Sequence, residues 1–187
     1  LKEHVETLLF HTPTKERYEL VKDLFIFSCF TGLSYIDIKK LKKSNIQSFF
    51  DGHEWIISRR QKSDVASNVR LMEIPKRLIE KYAGITRNDF VFPVPTNKIC
   101  NSYIDKLIQE VEIITEQKVT FHTARHTFGT MFLTEGVPLE SLSKMMGHKN
   151  ISTTQIYAKI TSQKISKDMD LVAPKFKEIE EAFLQVI

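Results

Sequence analysis

The sequence LSKMMGHKNISTTQIY, residues 142–157, contains the most informative pattern in the chain. Gly147 follows a helical stretch and is predicted to end it. His148 then lies in a tight loop, and a helix capped by the next serine or threonine is predicted to run past Tyr157. This short connection would bring an imidazole and a phenol into one site. By itself, a helical tyrosine is more often a core residue with a hydrogen-bonded hydroxyl.

A second polar pattern, HTARH, occupies residues 122–126 at the predicted start of another helix. His122 and Arg125 are three positions apart and so project from one face, where they could help a helix N-terminus to bind an anion. His122 and His126 have the spacing of a zinc protease helix. That motif requires a glutamate after the first histidine, and Thr123 stands there instead, which argues against a metalloprotease. Alone, this pattern is also common on surfaces and in helix caps.

The remaining periodicity predicts a mainly α fold with a small three-stranded antiparallel sheet, an α+β class. Thr14 is predicted to cap a helix that ends at Gly32, and Ser34 to cap the next one, through Ile38. Lys62 falls near the tip of the second hairpin. Strands are predicted at 47–50, 54–58 and 68–74, and further helices at 75–82, 96–111, 122–135 and 138–146.

The C-terminal segment is predicted to be a linker over residues 161–175, followed by a terminal helix over 176–187. Its apolar residues recur at the helical spacing of an amphipathic stripe: Phe176, Ile179, Phe183 and Val186. This stripe must be buried against its own domain or against another chain.

The composition is that of a soluble globular domain of 187 residues, 42% of them hydrophobic. No apolar run is long enough for a membrane span. Cys29 and Cys100 are too few and too far apart for a disulfide framework, which favours a reducing, cytoplasmic setting. The chain begins with Leu1 and its first methionine is Met72, which predicts that it is part of a longer protein.

The net charge of +4 is small, but the basic residues are clustered. One cluster contains Lys39, Lys42 and Lys43, and the other contains Arg59, Arg60 and Lys62. Duplex DNA would account for them through phosphate contacts. A solvated surface is the alternative.

Together these motifs resemble the tyrosine recombinases, the phage-integrase family. The match includes residues 142–157, the upstream His-x-x-Arg at 122–125, Thr-Gly-Leu at 31–33 and the hairpin residue Lys62. It spans about Thr14 to Ile160, with the motifs in the family's order. The fold expected from this resemblance is the catalytic domain of that family.

One position departs from the family pattern. An arginine usually follows Thr-Gly-Leu, and this sequence has Ser34, although Asp37 matches the acid that comes next. The form TGLSYxD resembles integrases of conjugative transposons. A serine hydroxyl donates one neutral hydrogen bond and a guanidinium two charged ones, so either the enzyme is slow or another cation fills the gap. We hypothesise that Arg59 or Arg60 does so, because both are close in sequence to Lys62.

The resemblance implies a site-specific recombinase that cleaves and rejoins duplex DNA in the integration and excision of a mobile element. Tyr157 would form a 3′-phosphotyrosyl bond, so neither ATP nor a metal would be required. Arg125 and His148 would hold the phosphate, Lys62 would protonate the leaving oxygen, and His122 would assist. Asp37 and His126 would orient the catalytic groups.

The same resemblance implies a tetramer on DNA, joined by the terminal helix, with the isolated domain a monomer in the bacterial cytoplasm at the nucleoid. From the resemblance we also expect that the family's N-terminal core-binding domain is absent from this chain. Two alternatives are a DNA-binding module of this fold that has lost activity, which Ser34 would explain, and a type IB topoisomerase. The integrase-like spacing disfavours the topoisomerase.

Overall fold

The computed structural model describes residues 2–86, 88–115, 117–158 and 162–185. Contacts divide the chain into a first unit that ends at Tyr157 and a second that begins at Ala158. In chain order the elements are α1 (Lys2–Phe10), α2 (Glu16–Thr31), α3 (Tyr35–Lys39), β1 (Ile46–Ser48), β2 (Glu54–Arg59), β3 (Ala66–Arg70), α4 (Glu73–Lys81), α5 (Asn97–Glu110), α6 (Phe121–Thr134), α7 (Leu139–Met145), α8 (Ser152–Gln155), α9 (Ser162–Val172) and α10 (Lys177–Leu184).

Helix α2 is the centre of the first unit and contacts α1, α4, α5 and α6. Its apolar side chains cover more than one face, and Val21, Leu24, Ile26 and Phe27 are fully buried. Its C-terminal half, residues 24–29, is buried on every side, which requires other elements around it. Gly32 ends it in the left-handed conformation with a φ of 69°.

The sheet is antiparallel with the order β1-β2-β3. Ile56 pairs with Ile46 on one side and with Val69 on the other. Ile56 and Val69 are fully buried, so one face of the sheet packs on the core. The structure thus confirms the predicted fold class of helices around a three-stranded antiparallel sheet.

A smaller core lies beside the main one and supports the end of the first unit. Phe128 of α6 and Leu142 of α7 are fully buried with Met146, and Tyr157 packs against this group. Helices α6 and α7 therefore share a core with the tyrosine that the sequence singles out.

Some predicted details of the helices are wrong, among them the serine or threonine cap of α8, because Ile151 precedes its first residue, Ser152. Thr14 is not the N-cap of α2, because its amide and hydroxyl both donate to the Glu110 carboxylate of α5. Lys15 precedes the helix instead. The helix before Tyr157 ends at Gln155. The amide of Tyr157 bonds the carbonyl of Thr154 at 3.0 Å, an i to i+3 turn that closes the helix.

The second unit also differs from its prediction. Much of the expected linker 161–175 is helical, because Ile165, Met169 and Val172 recur at helical spacing within α9. The terminal helix begins at Lys177, and its apolar residues Ile179 and Phe183 are exposed. Val186, the last residue of the predicted stripe, lies outside the described residues. Among the described residues, no helix has both the length and the apolar composition needed to cross a bilayer.

Candidate active site around Arg125 and Tyr157

Arg125 joins three segments that are far apart in the sequence. Its side chain is on α6 and is 3% exposed. One terminal nitrogen donates to the Gly32 carbonyl at the end of α2, and the other to the Met146 carbonyl at the end of α7. Burial lowers the pKa of Arg125 to about 10, and the nearby charge of Arg60 acts in the same direction. The guanidinium is therefore still charged at neutral pH, and its carbonyl partners do not neutralise it.

His148 lies beside this guanidinium, directly after Gly147, which has a φ of 59°. Its Nδ1 is 2.8 Å from Oγ1 of Thr154. Burial lowers the pKa of His148 to about 4, with a further contribution from the charges of Arg125 and Arg60. The imidazole is consequently neutral at pH 7 and can donate one hydrogen bond from one ring nitrogen.

Tyr157 follows α8 and places its phenol against α6. A Cβ atom at Gly129 would lie 2.8 Å from ring atoms of Tyr157, so only glycine leaves room for the phenol in this position. Burial raises the pKa of the phenol, whereas Arg125 and Arg60 oppose that shift. The phenol is protonated at rest, and two cations are available to stabilise negative charge on it.

His122 and His126 form a pair on α6. Their Nε2 atoms are 2.7 Å apart, so one ring donates and the other accepts. The ring of His126 also packs edge-on against Tyr157, with the centroids 5.1 Å apart. Burial and the neighbouring His122 lower the pKa of His126. The pair thus connects an exposed imidazole to the tyrosine ring.

The hairpin turn between β2 and β3 is attached to the site at several points. The hydroxyl of Ser63 donates to the Gly147 carbonyl at 2.9 Å, and that of Ser67 to the Met145 carbonyl at 2.6 Å. The backbone N–H of Gln61 donates to the Asp37 carboxylate at 2.9 Å. Lys62 is exposed at the tip between these contacts. No described side chain or carbonyl accepts a hydrogen bond from its ammonium group.

Arg59 and Arg60 point to opposite sides of the hairpin. The Arg59 guanidinium forms an ion pair with exposed Asp64, with Nε and Oδ1 2.8 Å apart. The Arg60 side chain instead lies against Gly147, whose Cβ would be 3.1 Å from Cβ of Arg60. Its Nε is buried and, among the described residues, has no hydrogen-bond partner. Of the two arginines proposed to replace the missing group, Arg60 is the one at the site.

Ser34 and Asp37 form a capping box at the start of α3. The Ser34 hydroxyl donates to Oδ2 of Asp37 at 2.6 Å. The other carboxylate oxygen of Asp37 accepts the Gln61 amide. The single proton of Ser34 is therefore already used, and Asp37 links α3 to the hairpin turn.

The predicted DNA-contacting lysines lie outside this cluster. Lys39 is at the end of α3, and Lys42 and Lys43 precede β1; all three side chains are exposed. An open pocket of about 360 Å³ lies between α3 and the start of α6, and its walls include Ser34, His122 and Arg125. A nucleic-acid backbone could bring a phosphate to Arg125 through this pocket.

The sequence patterns do not predict the roles of Thr154 and Gly129 in this site. A glycine inside a helix is destabilising relative to alanine and often marks a close approach, which was the available signal for Gly129. No comparable pattern in the sequence indicates that the Thr154 hydroxyl contacts His148.

The arrangement is suited to an anion. Neither Arg60 nor Arg125 is in an ion pair with a carboxylate among the described residues, and neutral His148 lies close to both. A phenol at the same place could attack the bound group. In the described ranges, no three histidine, cysteine, aspartate or glutamate side chains cluster as metal ligands would.

Comparison with known sequences agrees with this geometry. The sequence model described as "Phage integrase family" matches residues 1–164. The tyrosine recombinase XerA of Thermococcus onnurineus (strain NA1) is 29% identical over 164 residues, covering 83% of this chain and 55% of that protein. The tyrosine recombinase XerD of Listeria monocytogenes serotype 4b (strain F2365) is 29% identical, covering 72% and 48%. The chain spans about half the length of these curated relatives.

Solved structures show the same fold. The Tn1549 transposon integrase in complex with transposon right end DNA has a TM-score of 0.69 at 17% identity, covering 92% of this chain and 64% of that one. The XerH site-specific recombinase bound to difH substrate, in a pre-cleavage complex, has a TM-score of 0.68 at 19% identity, covering 89% and 51%.

Proposed function

The chain belongs to the phage integrase family, and on that basis we propose that it is the catalytic domain of a tyrosine-type site-specific recombinase. It cleaves and rejoins duplex DNA and thereby integrates and excises a mobile element. The single observation that carries the proposal is the convergence of Tyr157 with Arg125, His148 and Arg60. The similarity to the Tn1549 transposon integrase fold supports a mobile element as the substrate.

In the proposed reaction, the Tyr157 oxygen attacks the phosphorus of a DNA phosphodiester. The phenol proton passes to the histidine pair, in which His126 packs against the Tyr157 ring and His122 is its exposed partner, and a bond from the tyrosine oxygen to phosphorus forms. The bond from phosphorus to the 5′ oxygen breaks, and Lys62 gives that oxygen its proton. Because the phosphotyrosyl ester conserves the phosphoester bond, the 5′ hydroxyl of a second strand can reverse the reaction without a nucleotide cofactor.

Arg125, His148 and Arg60 stabilise the negative charge on the non-bridging oxygens in the transition state. Preorganised donors in a water-excluded site are usually the largest single contribution to such catalysis. Arg60 supplies the guanidinium that is absent at residue 34, where the Ser34 proton is donated to Asp37. Asp37 in turn positions the hairpin that carries both Arg60 and Lys62.

A covalent-adduct assay tests the proposal. The substrate is a duplex with the element's junction sequence and a nick next to the cleavage position, so that the cleaved end diffuses away. We expect a protein–DNA adduct with the unaltered chain and none with Tyr157→Phe. Tyr103→Phe is the matched control, because Tyr103 of α5 packs on Tyr18 of α2, away from Tyr157, and its substitution should leave the adduct unchanged.

A second function is favoured by one observation. The first family arginine is absent, and the Ser34 hydroxyl is engaged by Asp37. The chain would then be a DNA-binding module that cannot cleave. Retention of the nicked duplex without any adduct would support this function and contradict the first.

The assembly on DNA is part of the same proposal. Helix α10 docks on a neighbouring protomer and joins four subunits around two duplexes. Its exposed apolar residues Ile179, Phe183 and Leu184 support this, because exposed apolar faces of this kind mark interaction sites. Since the substrate is DNA, we further propose that the protein acts in the bacterial cytoplasm at the nucleoid.

A further inference from the structure

Thr154 contacts both His148 and Tyr157, two of the proposed catalytic residues. Its side chain is completely buried. Its Oγ1 is 2.8 Å from Nδ1 of His148, and its carbonyl accepts the Tyr157 amide at 3.0 Å. Thr154 is therefore hydrogen-bonded both to His148, the proposed hydrogen-bond donor to the phosphate, and to Tyr157, the proposed nucleophile.

The direction of the hydrogen bond to His148 follows from the partners available. The hydroxyl of Thr154 has no acceptor among the described residues other than Nδ1. If Nδ1 carried the imidazole proton, the hydroxyl would have to accept, and its own proton would be buried without a partner. An unsatisfied buried donor costs about 1–3 kcal/mol. The favourable arrangement is thus a hydroxyl that donates to an unprotonated Nδ1.

Because the His148 imidazole is neutral, this hydrogen bond determines which of its nitrogens carries the proton. Burial and two nearby guanidinium groups lower the pKa of His148 to about 4, so the ring is neutral at pH 7. A neutral ring has one proton, and the hydrogen bond at one nitrogen decides which nitrogen carries it. With Nδ1 occupied as an acceptor, the proton must be on Nε2.

We propose that Thr154 is a positioning residue that holds His148 as the Nε2–H tautomer, so that Nε2 donates to a non-bridging oxygen of the DNA phosphate. The tautomer and its cause are properties of the resting protein. Only the donation to phosphate rests on the proposed function. The backbone carbonyl of the same residue also closes the turn before Tyr157 by accepting its amide hydrogen bond.

The test begins with the tautomer, read by ¹⁵N-histidine NMR of the whole chain at pH 7. The His148 signals are assigned by their loss in His148→Asn. We expect the Nε2–H pattern in the unaltered chain and in Thr154→Ser, and a mixture with the Nδ1–H form in Thr154→Val. An Nδ1–H pattern in the unaltered chain would overturn the proposal, whether or not any variant folds.

The adduct assay then separates positioning from simple stability. We expect Thr154→Val to slow adduct formation by roughly ten- to a hundredfold, since complete loss of a preorganised donor costs about 10²–10³ in rate. Thr154→Ser should recover most of that rate. Thr153→Val is the matched control, because Thr153 is the exposed neighbour and should react like the unaltered chain. Equal rates in the Thr154 serine and valine variants would contradict the role. If the unaltered chain forms no adduct but the tautomer shifts as expected, recombination fails and the hydrogen-bond assignment stands.

Discussion

At the residue scale, the site concentrates positive charge that the protein does not neutralise. The charge of Arg60 lowers the pKa of Arg125, and both lower the pKa of His148. Arg60 Nε is buried without a partner among the described residues. Like charges and an unsatisfied buried donor are both unfavourable in the free protein. A bound phosphate relieves both, so the resting structure is arranged for the anion it is proposed to bind.

Removing Arg60 should therefore impair cleavage far more than removing its neighbour. We expect Arg60→Gln to slow adduct formation by about 10²–10³, the usual effect of losing one preorganised charged donor. Arg59→Gln is the control, because that guanidinium is paired with Asp64 on the exposed side. Adding Ser34→Arg to Arg60→Gln should restore part of the rate. Near-normal cleavage by Arg60→Gln would reject its assignment as the replacement guanidinium.

Gly129 should be intolerant of even a methyl group. A Cβ there would lie within 2.9 Å of three Tyr157 ring atoms, so the phenol must move. Alanine is the better helix former by roughly 0.5–1 kcal/mol, so we expect Gly129→Ala to slow adduct formation with little loss of thermal stability. Thr130→Ala, on the exposed side of the same helix, is the control. An unimpaired Gly129→Ala variant would show that the reacting phenol does not occupy this position.

The depressed pKa of His148 makes stability depend on pH. The unfolded imidazole takes up a proton near its ordinary pKa of 6.5, whereas the folded one does so near 4. Between these values the unfolded state binds more protons, so the free energy of unfolding falls as the pH drops from about 6.5 to 4. We expect His148→Gln to remove a part of this fall, on the order of 3 kcal/mol at most. Urea unfolding at pH 7 and pH 5 measures this change in the free energy of unfolding, and the exposed His4→Gln is the control. The same change between the two pH values in both variants would be inconsistent with a buried neutral imidazole.

At the scale of elements, the second hairpin is the connection that makes the site. Ser63 and Ser67 fasten it to the end of α7, and Asp37 fastens it to α3. Arg60 and Lys62 thus reach the phosphate position only if these contacts hold. The hairpin has no catalytic geometry of its own.

Loosening that connection should affect catalysis and stability together. Ser67 is almost completely buried, and Ser67→Ala leaves the Met145 carbonyl without its donor. We expect a loss of about 1–3 kcal/mol in the free energy of unfolding and slower adduct formation. Ser58→Ala is the control, since its hydroxyl bonds only within the sheet, to the Ser67 carbonyl at 3.1 Å. A stability loss with an unchanged cleavage rate would show that the contact does not position the hairpin residues.

Local sequence patterns predict the helices and strands but not the contacts between them. Gly32 and Gly147 end helices because few other residues adopt a positive φ, and this can be predicted from sequence. The partner of Thr14 could not be predicted, because Glu110 is far along the chain. Strand alternation implies that Arg59 and Arg60 face opposite sides, but only the docked hairpin shows which side meets Gly147.

At the scale of the whole molecule, the second unit has too little buried surface to be stable alone. Every described side chain from 165 to 185 is exposed, including the apolar Phe176 and Phe183. The first unit, by contrast, has two apolar clusters of its own. The chain therefore combines a first unit with its own packed core and an amphipathic segment that requires a partner surface.

Removing the terminal helix should separate assembly from DNA binding. We expect a chain that ends at Lys175 to bind a single site within about twofold of the full chain, because the residues proposed to contact phosphate are all in the first unit. It should fail to form synaptic complexes, because the apolar face of α10 is gone. Mobility shift and light scattering on DNA measure the two steps. Lys177→Gln is the control, since it disrupts only the exposed pair with Glu181 on the polar side of α10. If the shortened chain assembles as well as the full one, α10 packs elsewhere and the exchange of helices between protomers is wrong.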